Sequence, residues 1–272
     1  MLSSCKDNEK NLFLHLTAHM INNKVMHWSL RIFWYIYLIV IYLPIGIPVT
    51  VLTAVITWLG CKLGNHRIWS YYPGMVWSRI MIAITCCPYR VEGLEHLQKG
   101  QSYVLVANHA SIYDVFAIYG WIGRPFKWIM KKELRNLPFI GKACEEAGFI
   151  YINQKGGKQA VNCINEAEEK IKGGVSIAIF PEGSRTRNGQ TGPFKRGAFE
   201  IARTMQLPVV PISLSGCYQV MPRNAFYPLP HRIKMVIHPP VEFNPQTPDE
   251  ERSQIARIRE TVIEGIDSAY AK

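Results

Sequence analysis

Between Ile32 and Cys61 the chain carries no charged residue, and this run sets the first limit on what it can fold into. A helix needs about 20 apolar residues to cross a bilayer, so the segment is long enough to span one. Pro44 and Pro48 flank Gly46 in its middle. Proline removes a helix hydrogen bond and its ring clashes with the preceding turn, so a kink or break is expected there. Two arrangements follow: one tilted, kinked helix, or two short helices forming a hairpin within one leaflet. Trp34, Tyr35, Tyr37 and Trp58 lie near the ends, where interfacial rings concentrate. A cleaved signal fits poorly, because the run well exceeds the ~7–15 residues of a signal core and a long segment precedes it. The run is therefore read as a retained anchor. Upstream, residues 11–31 are apolar but interrupted by His15, His19 and Lys24, a pattern suited to an interfacial amphipathic helix. Residues 67–87 read either as a second membrane-contacting helix or as the first helix of a globular part.

After Pro88 the pattern changes to short apolar runs alternating with charged helical stretches. Residues 103–107, 127–130, 149–152, 175–180, 209–214 and 233–237 read as strands. Residues 115–121, 158–172 and 196–205 read as helices, and Ile255, Ile258, Val262 and Ile266 mark one face of a C-terminal helix. This alternation predicts an α/β fold, a largely parallel sheet flanked by helices, with an N-terminal helical membrane-anchoring element. The division falls between residues 1–87, a membrane-associated helical segment, and residues 88–272, an α/β domain. Charge and cysteine content narrow the setting. A net charge of +11 favours anionic partners: nucleic acid, anionic lipid or phosphorylated substrates. Seven cysteines without a C-x-x-C pair read as free thiols in a reducing compartment, and neither they nor the eight histidines form a metal motif.

In open α/β sheets ligands bind beyond the carboxyl ends of the strands, so residues just after a strand carry the most information. The strand ending at Ala107 runs into Asn108-His109-Ala110-Ser111-Ile112-Tyr113-Asp114. A turn can bring Asp114 onto one ring nitrogen of His109, fixing the tautomer and leaving the other nitrogen as a base. The alternative is that Asn108 and Asp114 merely cap the following helix. No G-x-S-x-G elbow supplies a nucleophile, so a base here would act on an incoming hydroxyl.

The strand ending at Phe180 leads into Pro181-Glu182-Gly183-Ser184-Arg185-Thr186-Arg187, with Lys195 and Arg196 following. Guanidinium groups and free backbone N–H groups around a glycine-bearing loop make a phosphate cradle; the alternative is a solvated basic loop. Neither a Walker loop nor a dinucleotide fingerprint is present.

Together these segments resemble the glycerolipid acyltransferase family, which includes the 1-acylglycerol-3-phosphate acyltransferases. Asn108, His109 and Asp114 match its N-H-x-x-x-x-D motif, and Phe180 to Arg185 match F-P-E-G-[TS]-R in full. Leu207-Pro208-Val209-Val210-Pro211-Ile212 matches a further apolar motif. The segment Phe149-Ile150-Tyr151-Ile152-Asn153-Gln154 departs from the family by placing Gln154 where arginine is expected. Lys155 or Lys158 would have to replace that charge.

The resemblance implies transfer of a fatty acyl group from acyl-CoA or acyl carrier protein to the sn-2 hydroxyl of 1-acylglycerol-3-phosphate, giving phosphatidic acid. His109 would be the base and Asp114 its orienting partner. Glu182, Gly183, Ser184 and Arg185 would position the acceptor, with Lys195 beside them. Neither a covalent acyl-enzyme, a metal nor a cofactor is implied. The partners would be the lysophospholipid, the acyl donor and the bilayer, with the catalytic domain facing the cytoplasm. Other acceptors (another lysophospholipid, glycerol 3-phosphate or an amino-acid lipid) remain open within the class. So do a thioesterase and a non-catalytic lipid-binding protein. A nucleic-acid-binding role is disfavoured by the apolar run and the lack of a zinc-finger or RNP signature.

Overall fold

The computed structural model describes residues 28–152 and 174–270. Helix α1 (Trp28–Tyr37) passes through one π turn (Leu38–Tyr42) into α2 (Leu43–Leu63). The three make one continuous apolar helix of 36 residues. No break occurs at Pro44 or Pro48, so the hairpin arrangement does not form within this run. The reason is local. The Leu43 N–H reaches back to the Leu38 carbonyl, one residue further than in an α-helix, and this wider turn ends just before Pro44. Pro44 follows at once, so the wider turn sits where its missing N–H would otherwise interrupt the ladder.

A short helix α3 (His66–Trp69) leads to α4 (Tyr72–Ile84), which runs back along α2. Met81 lies beside Gly46, and the Trp77 indole N–H donates to Thr50 Oγ1 at 2.9 Å. With 13 residues, α4 packs its other side on α5 (Tyr113–Trp121). It is about 20 Å long, too short to span a bilayer by itself.

Among the described residues seven strands follow: β1 (Tyr89–Glu92), β2 (Val104–Ala107), β3 (Phe126–Lys131), β4 (Ile150–Ile152), β5 (Ser176–Ile179), β6 (Val209–Ser215) and β7 (Ile233–Ile237). Their spatial order is β1-β7-β6-β2-β5-β3-β4. Every neighbouring pair is parallel except β6 with β7, so the largely parallel sheet holds. Edge strand β1 was not anticipated, because Tyr-Arg-Val-Glu is only half buried and forms no apolar run.

Helices cover both faces. On β2, Leu105 and Ala107 join the core beneath α4 and α5, while Val104 and Val106 face the other core with Phe199, Ile255 and Ile258. That second core is closed by α7 (Glu200–Thr204) and α9 (Pro248–Glu264). The helix expected over 196–205 is instead a 3₁₀ turn (Arg196–Ala198) followed by α7. Helix α9 starts at the Thr247 cap, whose hydroxyl accepts the Glu250 N–H. It ends at Gly265, where a Cβ would lie 2.4 Å from Ser213 Oγ. Ile266 therefore falls past the helix end. Helix α6 (Ile140–Glu146), between β3 and β4, was also not anticipated; the stretch expected over 158–172 lies outside the described residues.

Candidate active site

Strands β2 and β5 are neighbours, so their carboxyl ends bring the histidine turn and the Glu-Gly-Ser-Arg loop together. His109 Nδ1 stands 2.9 Å from Asp114 Oδ2. The same oxygen accepts the Ala110 and Ser111 N–H groups at 2.6 and 2.7 Å. Asp114 is fully buried in the first turn of α5, and these donors keep its charge favourable there. With an acceptor on that side, Nδ1 carries the ring proton. The ring stacks on Phe180 at 3.9 Å between centroids, and 16% of the side chain stays open. Nε2 is then the ring atom left to meet a substrate. Helix capping alone, the bland alternative, does not describe this turn.

Asn108 pins the turn from below. Its amide donates to the Leu214 carbonyl at 3.0 Å and accepts the Leu214 N–H at 2.8 Å, tying the end of β2 to β6. Ser111 Oγ donates to the Met221 carbonyl at 2.8 Å, joining the turn to the segment after α8 (Cys217–Val220). The buried Cys217 thiol is pushed well above its usual range, first by burial and then by the charge of Asp114.

The second loop is tied to the first by backbone. Thr186 N–H donates to the His109 carbonyl at 2.9 Å. Glu182 Oε1 accepts the His109 N–H at 2.7 Å, and Oε2 accepts the Gly192 N–H at 2.8 Å. Glu182 thus braces both loops. Burial pushes its carboxyl up, and the two backbone donors pull it partly back. Gly183 sits at φ +72°, and a Cβ there would come within 2.8 Å of Lys195 Nζ. Glycine lets the loop turn under the lysine. Ser184 and Lys195 are exposed and Arg185 is half buried.

Four basic residues were expected to crowd this loop, and one is engaged elsewhere: Arg196 Nε is paired with buried Glu251 of α9 at 2.7 Å. Arg259 of α9 also donates to the Thr191 and Gly192 carbonyls at 2.8 and 2.7 Å. A basic residue that the motifs did not mark joins the site instead: Arg223 Nη1 donates to the Arg185 carbonyl at 3.1 Å. Gln154, Lys155 and Lys158 lie outside the described residues. Among the described residues, no group of three His, Cys, Asp or Glu side chains could hold a metal ion.

A His–Asp pair thus faces a basic glycine loop across adjacent strand ends. Residues 88–215 match the family model described as Acyltransferase. A chloroplastic 1-acyl-sn-glycerol-3-phosphate acyltransferase of Brassica napus is 35% identical over 169 residues, 60% of this chain and 49% of that one. The alpha 1-acyl-sn-glycerol-3-phosphate acyltransferase of Mus musculus is 33% identical, over 64% of this chain and 61% of its own. The chain thus spans roughly half to three-fifths of the length of these relatives. The crystal structure of the 1-acyl-sn-glycerophosphate acyltransferase PlsC from Thermotoga maritima aligns with a TM-score of 0.61 at 26% identity. That alignment covers 72% of this chain and 79% of that one.

Proposed function

We propose that the protein transfers an acyl group from a thioester, acyl-CoA or acyl carrier protein, to the sn-2 hydroxyl of 1-acylglycerol-3-phosphate, giving phosphatidic acid. One observation carries the reading: His109 has Nδ1 committed to Asp114 while its ring, 16% exposed, sits in a turn tied to the basic loop. As the acceptor hydroxyl attacks the thioester carbonyl, its proton passes to Nε2. The tetrahedral intermediate expels the thiolate, which takes the proton back. Asp114 holds the tautomer and stabilises the imidazolium while it lasts. General-base catalysis of this kind supplies about 10²–10⁴-fold.

Arg185, Lys195 and the Gly183 turn are read as the cradle for the acceptor phosphate, with Ser184 at its rim. Glu182 acts through the backbone of His109 and Gly192, a positioning role. The names of the relatives support lysophosphatidate as acceptor. The decisive comparison offers one thioester donor with 1-acylglycerol-3-phosphate, 1-acylglycerophosphocholine or glycerol 3-phosphate in turn. Phosphatidic acid formed fastest is the expected result; preference for either of the others refutes the acceptor assignment.

The anchor helix is read as lying in one leaflet. It is held on the domain from Trp34, whose indole N–H donates to the Pro228 carbonyl at 3.0 Å, to Lys62, which is 3.4 Å from Glu146. That docked length is about 42 Å, longer than the ~30 Å hydrocarbon core. Crossing would drag the domain into lipid. Lying in-plane, the helix turns Ile36, Ile39, Ile47 and Leu52, all more than half exposed, towards the acyl chains. The free thiols suit the cytoplasmic side. Tags at the two chain ends should then both be reached by protease from one side of sealed vesicles; opposite sides would refute the in-plane reading.

A further inference from the structure

Residues 221–230 form a proline-punctuated loop, with Pro222, Pro228 and Pro230, whose tip presents Phe226 at 97% exposure. An aromatic ring so open is unusual on a soluble surface. The loop is fastened to the anchor helix. Tyr227 and Tyr35 join hydroxyls at 2.9 Å and meet edge to face at 5.2 Å, and the Pro228 carbonyl takes the Trp34 indole N–H. Phe226 and Tyr227 therefore add exposed aromatic surface beside the helix end that carries exposed Trp28, Phe33 and Ile36. Exposed Arg31 and Arg223 border this patch. Apolar rings rimmed by guanidinium groups suit the headgroup zone of an anionic bilayer, rings inward and charges at phosphate depth.

We infer that this loop is a second bilayer contact, with Phe226 inserted beside the anchor helix. The inference rests on the membrane reading above and adds a consequence. The same loop holds Ser111 of the histidine turn through Met221, and Arg185 of the phosphate loop through Arg223. Seating it on lipid would fix the site at the depth of a lysolipid headgroup. Its three prolines limit the ordering cost of that seating.

The test places an environment-sensitive fluorescent amino acid at position 226, or in a second protein at helix position 36, of the full chain. Each protein is reconstituted into phosphatidylcholine–phosphatidylglycerol vesicles containing brominated lipids. Quenching at both positions, strongest at 226 with bromine near the headgroup, is expected. Quenching at 36 but not 226 overturns the loop contact while leaving the membrane reading intact; quenching at neither overturns both. Concentration-dependent self-transfer at 226 without lipid quenching would assign the patch to a second copy and also overturn it. In parallel, Phe226→Asp should raise the acceptor KM on vesicles roughly tenfold. Its rate on detergent-dispersed acceptor should be unchanged. An unchanged KM on vesicles would contradict insertion.

Discussion

Asp114, in the first turn of α5, and Lys127, on β3, are both buried charges, yet they end in different places. Asp114 accepts a hydrogen bond from an imidazole that keeps part of its surface open. Lys127, on β3, is 4% exposed and donates to Ser70 Oγ at 2.8 Å and the Ala147 carbonyl at 2.6 Å. Ser70 and Ala147 are the C-terminal caps of α3 and α6, where helix dipoles favour a cation. One charge orients a partly exposed ring and the other fastens two helices. Burial of a charge does not by itself mark a reactive site.

Substitutions should separate the two. His109→Ala should cut acyl transfer by about 10²–10⁴-fold with the melting temperature unmoved. Asp114→Asn should cut transfer similarly and also lower the melting temperature, because Oδ2 holds the Ala110 and Ser111 N–H groups as well. A stable, active Asp114→Asn protein would break the contrast. Next in size, Lys127→Met should leave the rate per folded molecule intact. It should cost stability of about 1–3 kcal/mol by stripping the donor from buried acceptors, read by denaturant titration. Arg185→Ala should raise the acceptor KM roughly tenfold or more, the loss of a charged hydrogen bond, and leave kcat nearly constant. An unchanged KM would remove Arg185 from the cradle.

A last effect, visible only as pH falls, concerns a buried group that must stay neutral. Burial first, then the charge of Arg232, holds His231 down at about 4, and its Nδ1 accepts the Arg232 N–H at 2.9 Å. The unfolded chain takes up this proton near pH 6.5 and the folded chain only near 4. Stability therefore falls as pH drops through that window. The melting temperature of His231→Asn should fall less steeply over the same range than that of the parent; parallel curves would exclude His231 as the cause.

Much of this was legible in the sequence because parallel strands buried on both faces read as apolar runs, and the site residues follow two of them directly. Strand β1 was hidden by its half-polar edge sequence, and the 3₁₀ turn before α7 by its helix-like composition. The continuity of the anchor helix depended on a π turn that leaves no compositional mark. Arg223 and Phe226 reach their places through loop packing with no spacing rule behind it. Arg196, adjacent to Lys195, faces α9 instead of the cradle because Glu251 captures it.

The central claim is that His109, oriented by Asp114, deprotonates an acceptor hydroxyl. Thiol release from a thioester donor, measured with and without 1-acylglycerol-3-phosphate for the parent and His109→Ala, tests it most directly. Acceptor-dependent release that disappears in His109→Ala is the predicted result. Release that needs no acceptor, or that survives the loss of His109, would contradict the account.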